Sequence, residues 1–266
     1  MFKKSNQNWA TLSELAFYKE DVIQNEMDSL FTDATQSKVD SAYNSLNQIN
    51  ALEEKAKSHP LYETFKADIE LAKKIVNGEL ATEGRIIQAE QHGNMVSHAQ
   101  QVLKMPYGTN NQPTGIAARA GEKITVYVDA DASGPLPQLV FTQQEGSWSA
   151  WSSTVNLKPG KNEFTVPTIY NGNVTQGGPL YIVNPYTSEQ QTKAPVIRIE
   201  GGERFPIFTK DTNPEAFKAF LTDYKNRLTA DAIAHPDVKD RELLDVVEIV
   251  SDRIIFTGTA SQAIPS

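Results

Sequence analysis

Cysteine is absent from this chain of 266 residues, so the protein can form neither disulfide bonds nor thiolate metal sites. The absence of cysteine does not decide the redox compartment, because a reduced cytosol and a cysteine-poor bacterial exterior are both compatible with it. Basic residues are outnumbered, 25 against 33 acidic ones, which gives a formal net charge of −8. Clusters of Lys and Arg longer than a pair such as Lys73-Lys74 are lacking, and a polyanion-binding surface needs them. We therefore expect no nucleic-acid partner.

Long hydrophobic runs are missing as well. The longest extend over four or five residues, as at 180–183, whereas a membrane-spanning helix needs about 20. The opening Met-Phe-Lys-Lys is followed by a polar run at 5–8, where a signal peptide has its apolar core. The sequence therefore predicts no membrane span and no secretion signal.

The motifs of common enzyme classes are also absent. Many zinc hydrolases bind the metal through two His four apart on one helix, with a Glu between them as general base. The four histidines here do not have that spacing: His59, His92, His98 and His235. The run Gly146-Ser147-Trp148-Ser149 lacks the Gly-x-Ser-x-Gly shape of a serine nucleophile elbow, and no phosphate-binding glycine loop precedes a helix. We therefore predict no catalytic, cofactor-binding or metal-ligating residue in this chain.

The distribution of proline divides the chain into parts of different texture. Between residues 9 and 104 the only proline is Pro60, whereas prolines recur from 106 to 214. The sequence predicts an α+β protein in three segments: an amino-terminal helical bundle over 1–105, an antiparallel β-sandwich over 106–210, and a short α/β extension over 211–266.

Two helices of the first segment have clear apolar stripes. One stripe follows Thr35, a suitable cap, and a second begins at Pro60 and stops at Asn77-Gly78. Their apolar positions recur every three or four residues: Val39, Ala42, Tyr43, Leu46 and Ile49 in the first, then Leu61, Phe65, Ile69, Ala72 and Val76 in the second. Segments 10–30 and 80–104 are predicted as further helices, which would complete a bundle of three or four.

Period-two alternation predicts the sandwich. It begins at Lys123, with Ile124, Val126 and Val128 on one face, and short runs with β character follow at 138–142, 154–157, 162–166, 180–184 and 195–200. In the last segment Asn213 is a suitable cap for a helix. A further short helix is expected around 243–247 and a final strand at 253–257.

Aromatic residues in the β-rich region are the one feature that suggests binding. Trp148 and Trp151, together with Tyr170 and Tyr186, offer flat apolar faces with polar edges, a combination that stacks on sugar rings. Core packing is the alternative interpretation, because large aromatic side chains are commonly buried. We take these four residues as possible glycan contacts.

Five short runs occur in an order typical of one known family. They are 114–128 (Thr-Gly-Ile-Ala-Ala-Arg-Ala-Gly-Glu-Lys-Ile-Thr-Val-Tyr-Val), 160–162 (Gly-Lys-Asn), 177–182 (Gly-Gly-Pro-Leu-Tyr-Ile), 195–202 (Pro-Val-Ile-Arg-Ile-Glu-Gly-Gly) and 205–208 (Phe-Pro-Ile-Phe). In this order they resemble the enhancin-like (viral-enhancing-factor-like), mucin-degrading zinc metallopeptidases, over residues 113 to about 257. Ala117 departs from the pattern, since an aromatic residue is common there.

The resemblance implies a role without catalysis for this chain. In the family the His-Glu-x-x-His helix and a third zinc ligand lie downstream of the strand that residues 252–256 resemble. We therefore expect an amino-terminal, non-catalytic portion of a secreted or cell-surface peptidase that acts on mucin-like glycoproteins, with zinc in a catalytic domain beyond this chain. The β-domain would support the substrate cleft, and the chain alone would be inactive.

Two other functions fit the same sequence. The aromatic residues are compatible with a free-standing carbohydrate-binding or adhesin module, and the helical half, which carries no recognisable chemistry, with a structural spacer.

Overall fold

The structure, a computed structural model, describes residue 30 and the ranges 33–52, 60–128, 134–143, 151–168, 177–252 and 254–264. In these ranges the protein is a mixed α+β fold with four α-helices: α1 (Gln36–Leu52), α2 (Pro60–Val76), α3 (Met95–Gln101) and α4 (Pro214–Ala234). None of these helices combines the length and the apolar character that crossing a membrane requires.

Helices α1 and α2 form where the sequence predicts them. The Thr35 hydroxyl accepts a hydrogen bond from the Lys38 backbone N–H at 3.3 Å, which caps α1, and Pro60 is the first residue of α2. Gly78 ends α2 with a φ of 74°, a left-handed conformation that glycine adopts without a steric penalty. The two helices share one apolar cluster: Leu30, Val39, Ala42, Leu46, Tyr62, Phe65, Ile69 and Ala72.

The strands follow in chain order with short connections. They are β1 (Ile86–Gln88), β2 (Asn111–Ala118), β3 (Lys123–Val128), β4 (Gln138–Gln143), β5 (Trp151–Asn156), β6 (Gly160–Thr165), β7 (Gly178–Val183), β8 (Val196–Glu200), β9 (Glu203–Arg204), β10 (Ile207–Phe208), β11 (Val247–Val250) and β12 (Ile255–Gly258). Short 3-10 turns lie at Val238–Asp240 and Ala260–Gln262.

Two antiparallel sheets build the sandwich. The first has the order β1-β8-β3-β6 and the second the order β5-β4-β7-β2-β9. One buried cluster draws side chains from both sheets, including Ile116, Ile124, Val126, Val128, Leu139, Phe141, Leu180, Ile182, Ile197 and Ile199. The predicted alternation in β3 is confirmed, because Ile124, Val126 and Val128 are at most 1% exposed.

The predicted amino-terminal bundle is not confirmed. Within 80–104, where a helix is predicted, β1 instead joins the first sheet, with Ile86 opposite Arg198. Gly84 and Gly93 have φ values of 66° and 71°, and such left-handed residues interrupt a helix. Only α3 is helical there, and of the helix predicted at 10–30 only residue 30 lies within the described residues. Residues 86–88 thus join the sheet although they precede the predicted boundary at 105/106.

The buried Arg198 side chain of β8 connects the segment after α2 to the first sheet. The Arg198 side chain is fully buried; its Nε donates to Glu200 Oε1 at 2.5 Å and its Nη2 to the Ala81 carbonyl, just after α2, at 2.9 Å. Leu71 of α2 also packs against Tyr127 of β3. The amino-terminal helices therefore contact the sandwich through one hydrogen bond from a charged side chain and through apolar packing.

The third sheet, β10-β11-β12, packs against α4. The Asn213 side chain caps α4 by accepting from the Glu215 and Ala216 N–H groups at 3.0 Å each, as predicted. The short helix predicted around 243–247 is wrong, because β11 begins at Val247 and pairs in parallel with β10 and antiparallel with β12. Three of the four residues of β11 are β-branched, and such residues fit a pleated strand better than a helix.

Candidate functional site

An apolar groove lies between α4 and the third sheet, with a volume of about 630 Å³. Its lining includes Phe208 of β10, Phe217 of α4, Val247 and Ile249 of β11, Phe256 of β12, and Ile264. Ile249, Phe256 and Ile264 are 50%, 63% and 87% exposed. Large apolar side chains grouped around one groove are typical of a surface that another protein segment covers.

Strand alternation explains how the groove forms. Side chains on a strand point to opposite faces in turn, so Val247 and Ile249 share one face of β11 and Glu248 has the other. Ile249 is the direct register partner of Phe256 across the β11–β12 hairpin. The two side chains therefore stand side by side on the groove face.

The opposite face of the third sheet carries a buried carboxyl group. Glu248 is 0% exposed, and its Oε1 accepts hydrogen bonds from the Tyr181 hydroxyl on β7 and from Thr257 Oγ1 on β12, the latter at 3.0 Å. Burial raises the pKa of Glu248, while the two hydroxyl donors favour the charged form and oppose this shift. Glu248 thus links the third sheet to the sandwich.

A second cleft, of about 440 Å³, is lined by both charged and apolar side chains. It lies between the start of β2 and the β11–β12 turn, and its lining includes Glu90, His92, Lys210, Asp211 and Asp252. Lys210 Nζ is 3.3 Å from Asp252 Oδ1, and this contact, aided by the charge of Asp211, raises the pKa of Lys210. Three carboxylates around one ammonium group give the cleft an acidic character.

The carboxyl end of α4 holds an aspartate–histidine pair. His235 Nδ1 lies 2.9 Å from Asp231 Oδ1, and Asp231 also accepts from the backbone N–H groups of Glu242 and Leu243. Burial opposes ionisation of Asp231, but these hydrogen bonds outweigh it and lower the pKa. The pair fixes residues 242–243 against α4.

The described residues do not fit the zinc ion that the family resemblance implies. Among them, no three His, Asp or Glu side chains form a group that could hold a metal ion. His92 precedes α3, His98 lies within it, and His235 follows α4, while His59 is outside the described ranges. We therefore derive no catalytic step for these residues.

The four predicted glycan contacts lie largely outside the part of the chain that the structure describes. Trp148 and Tyr170 fall outside the described residues. Trp151 begins β5, where its backbone pairs with Gln143 at the edge of the second sheet, and its side chain is likewise outside the description. Tyr186 is half-buried in the loop after β7. Glycan contact by these residues stays a prediction.

Sequence reasoning missed the groove and Glu248. The signal was present in the run 246–250, Val-Val-Glu-Ile-Val, where one acidic residue interrupts a strand-like apolar stretch. In a strand, successive side chains of this run point to opposite faces, so apolar residues stand on both faces. Such a pattern predicts a strand that is covered on both faces.

Several solved structures to which this chain is similar are M60-like, that is enhancin-like, metallopeptidases. No protein-family model and no curated protein matches the sequence. The catalytic module of the metalloprotease ZmpA from Clostridium perfringens is 33% identical with a TM-score of 0.54, over 66% of this chain and 34% of that module. A ZmpB structure from the same organism, with two CBM32 domains and the M60 catalytic domain, is 31% identical with a TM-score of 0.63, over 90% of this chain and 24% of that one.

A third similar structure contains a glycan. It is the M60 catalytic domain of ZmpC from Clostridium perfringens in complex with the sialyl T antigen, 31% identical with a TM-score of 0.54, over 66% of this chain and 34% of that one. The resemblance to the enhancin-like family is thereby confirmed, and in fold and sequence this chain belongs with those metallopeptidases. The chain spans about a third of the ZmpA and ZmpC catalytic modules.

Proposed function

We propose that this chain is a non-catalytic part of an M60-like metallopeptidase that acts on mucin-like glycoproteins outside the cell. Its apolar groove packs against the portion of the catalytic module that the chain does not span, and in this way the chain supports the substrate cleft. The groove carries the proposal, together with the match to about a third of the related catalytic modules.

The energetics of the groove support an occupant made of protein. Ile249, Phe256 and Ile264 expose half or more of their surfaces, and fully burying one such side chain contributes about 1.5–3 kcal/mol. Among the described residues of the lining, Lys218 alone contributes a charged side chain. An apolar segment therefore fits the groove better than a charged or sugar ligand.

In this proposal the zinc ligands and the general base belong to the remainder of the catalytic module, and this chain has a structural role. A zinc peptidase needs three protein ligands and a general base in fixed geometry. In the proposed assembly the remainder of the module supplies that set, and the sandwich and third sheet supply a rigid support.

A binding experiment tests this assembly. The catalytic module of ZmpA, shortened by the third that this chain matches, is titrated with the purified chain by calorimetry. We expect binding that Phe256→Asp weakens at least tenfold, because the new carboxylate loses its hydration in the groove. Val102→Asp is the matched control, since Val102 is also 63% exposed but lies just after α3, away from the groove. Equal affinity for the two variants, or no binding by the native chain, would refute the proposal.

A carbohydrate-binding function is the second candidate, favoured by the relative that holds the sialyl T antigen. The aromatic residues Trp148, Trp151, Tyr170 and Tyr186 would contact the sugar. A glycan array with the purified chain tests this function, and native binding that Trp148→Ala abolishes would support it. Absence of binding to every glycan at millimolar concentration would remove it.

A further inference from the structure

Glu248 occupies an unusual position for an acidic residue. It lies on the central strand of the third sheet, and its side chain is enclosed between that sheet and the sandwich. Oε1 has two hydrogen-bond donors, Tyr181 and Thr257, whereas Oε2 is buried with no hydrogen-bond partner among the described residues. An ionised carboxylate would thus have one oxygen without compensation for its lost hydration.

The groups that face Glu248 give it no positive charge. From β7 it meets the Tyr181 phenol, from β12 the Thr257 hydroxyl, and on β10 its register neighbour is Ile207. In the described part of the chain, burial and these two hydroxyl groups account for the whole pKa shift, and no charged side chain contributes. The neutral acid is therefore the form that this enclosed position favours.

We propose that Glu248, Tyr181 and Thr257 form a proton-sensitive junction, which holds the third sheet on the sandwich when Glu248 is neutral and loosens when it ionises. Because β11 and β12 also carry Ile249 and Phe256 of the groove, proton uptake at the junction stabilises the groove face. The inference rests on residues within this chain and does not depend on the proposed assembly.

The direction of the effect follows from proton linkage. In the open state, in which the third sheet is detached from the sandwich, Glu248 is in water and its pKa is near the ordinary value of 4.5. In the closed state, in which the junction is formed, burial keeps Glu248 neutral to higher pH. The opening equilibrium constant therefore rises by up to about tenfold per pH unit above pH 4.5, until Glu248 ionises in the closed state as well. The junction is tightest in acid.

Hydrogen exchange at the third sheet tests the junction. Protection of amides in 247–250 and 255–258 is measured from about pH 4.5 to about pH 8, after correction for the intrinsic exchange rate. In the native chain we expect protection to fall as pH rises, and in Glu248→Gln, which mimics the neutral acid, we expect no such fall. Asp252→Asn is the control, because Asp252 is an exposed carboxylate next to the same hairpin and its loss leaves the pH dependence intact.

A second variant and a spectroscopic readout complete the test. Thr257→Val removes one donor that favours the charged form, so the loss of protection moves to higher pH. At a pH where the exposed carboxyl groups are already ionised, the native chain should retain an infrared C=O band of one protonated carboxyl group, and Glu248→Gln should lack it. A native chain without pH dependence, the same slope in Glu248→Gln, or an unshifted profile in Thr257→Val would each overturn the inference. If Glu248→Gln does not fold, the Thr257→Val profile decides.

Discussion

Ile249 and Phe256 are direct register partners across the β11–β12 hairpin, and both expose half or more of their side-chain surface on the same face. A non-polar cross-strand pair usually stabilises a sheet by packing under another layer. Here α4 covers Val247 and leaves this pair at the open side of the groove. The pair therefore marks the face on which we expect the rest of the peptidase module to pack.

Val126→Asp should destabilise the sandwich severely. Val126 is 0% exposed at the centre of the core between the sheets, and an unpaired buried carboxylate costs several kcal/mol against a total of roughly 5–15. Urea denaturation measures the change. Thr154→Asp, on the exposed side of the edge strand β5, is the control and should lose less than about 1 kcal/mol. Equal stability of the two variants would mean that the buried face is wrongly assigned.

Arg198→Ala should cost about 3–5 kcal/mol, because it leaves Glu200 without its cation and the Ala81 carbonyl without its donor. Lys161→Ala is the matched control: Lys161 pairs with Glu163, whose side chain is 70% exposed, and such surface pairs contribute about 0–1 kcal/mol. Denaturation midpoints compare the two. A loss below about 1 kcal/mol for Arg198→Ala would show that neither the pair with Glu200 nor the hydrogen bond to Ala81 stabilises the fold.

Asp231 should make the protein sensitive to acid. Its pKa is lowered in the folded state, so its contribution to stability is present above the unfolded value of about 3.8 and is lost as pH falls through the folded value. Asp231→Asn should therefore be less stable than the native chain at pH about 7, with the difference shrinking as pH falls below the unfolded value of 3.8. Asp223→Asn, an exposed site on the same helix, should show no such trend. If the stability difference between Asp231→Asn and the native chain grew in acid, the assigned lowering of the Asp231 pKa would be contradicted.

Local signals in the sequence predict α1 and α2 better than they predict β1 and the burial of Glu248. Thr35, Pro60 and Gly78 are local start and stop signals, so α1 and α2 are correctly placed. Strand β1 depends on a partner far along the chain, with Ile86 opposite Arg198, and no local pattern contains that pairing. The same holds for Glu248, whose burial results from contacts with Tyr181 and Thr257 on other strands.

The tryptophans provide a test of the glycan prediction. From the sequence, Trp151 is expected to be largely buried and Trp148, beside Gly146 and Ser147, to lie near the surface. Variants that retain one tryptophan each should therefore differ in fluorescence quenching by acrylamide, with Trp148 quenched more. Trp148→Ala should leave the fold intact and weaken any glycan binding by about 1–3 kcal/mol. Equal protection of both indoles would favour core packing.

Peptidase activity provides the most direct test of the proposed assembly. The chain alone, the shortened ZmpA module alone and their mixture are each incubated with zinc and a glycopeptide that carries the sialyl T antigen, and cleavage is followed by mass spectrometry. We expect the chain alone to be inactive, because a zinc peptidase needs a ligand set that we predict this chain does not contain. We expect the mixture to cleave the glycopeptide faster than the shortened module, and Phe256→Asp to abolish the gain. Cleavage by the chain alone, or no gain in the mixture, would contradict the assignment of this chain as a non-catalytic part of the module.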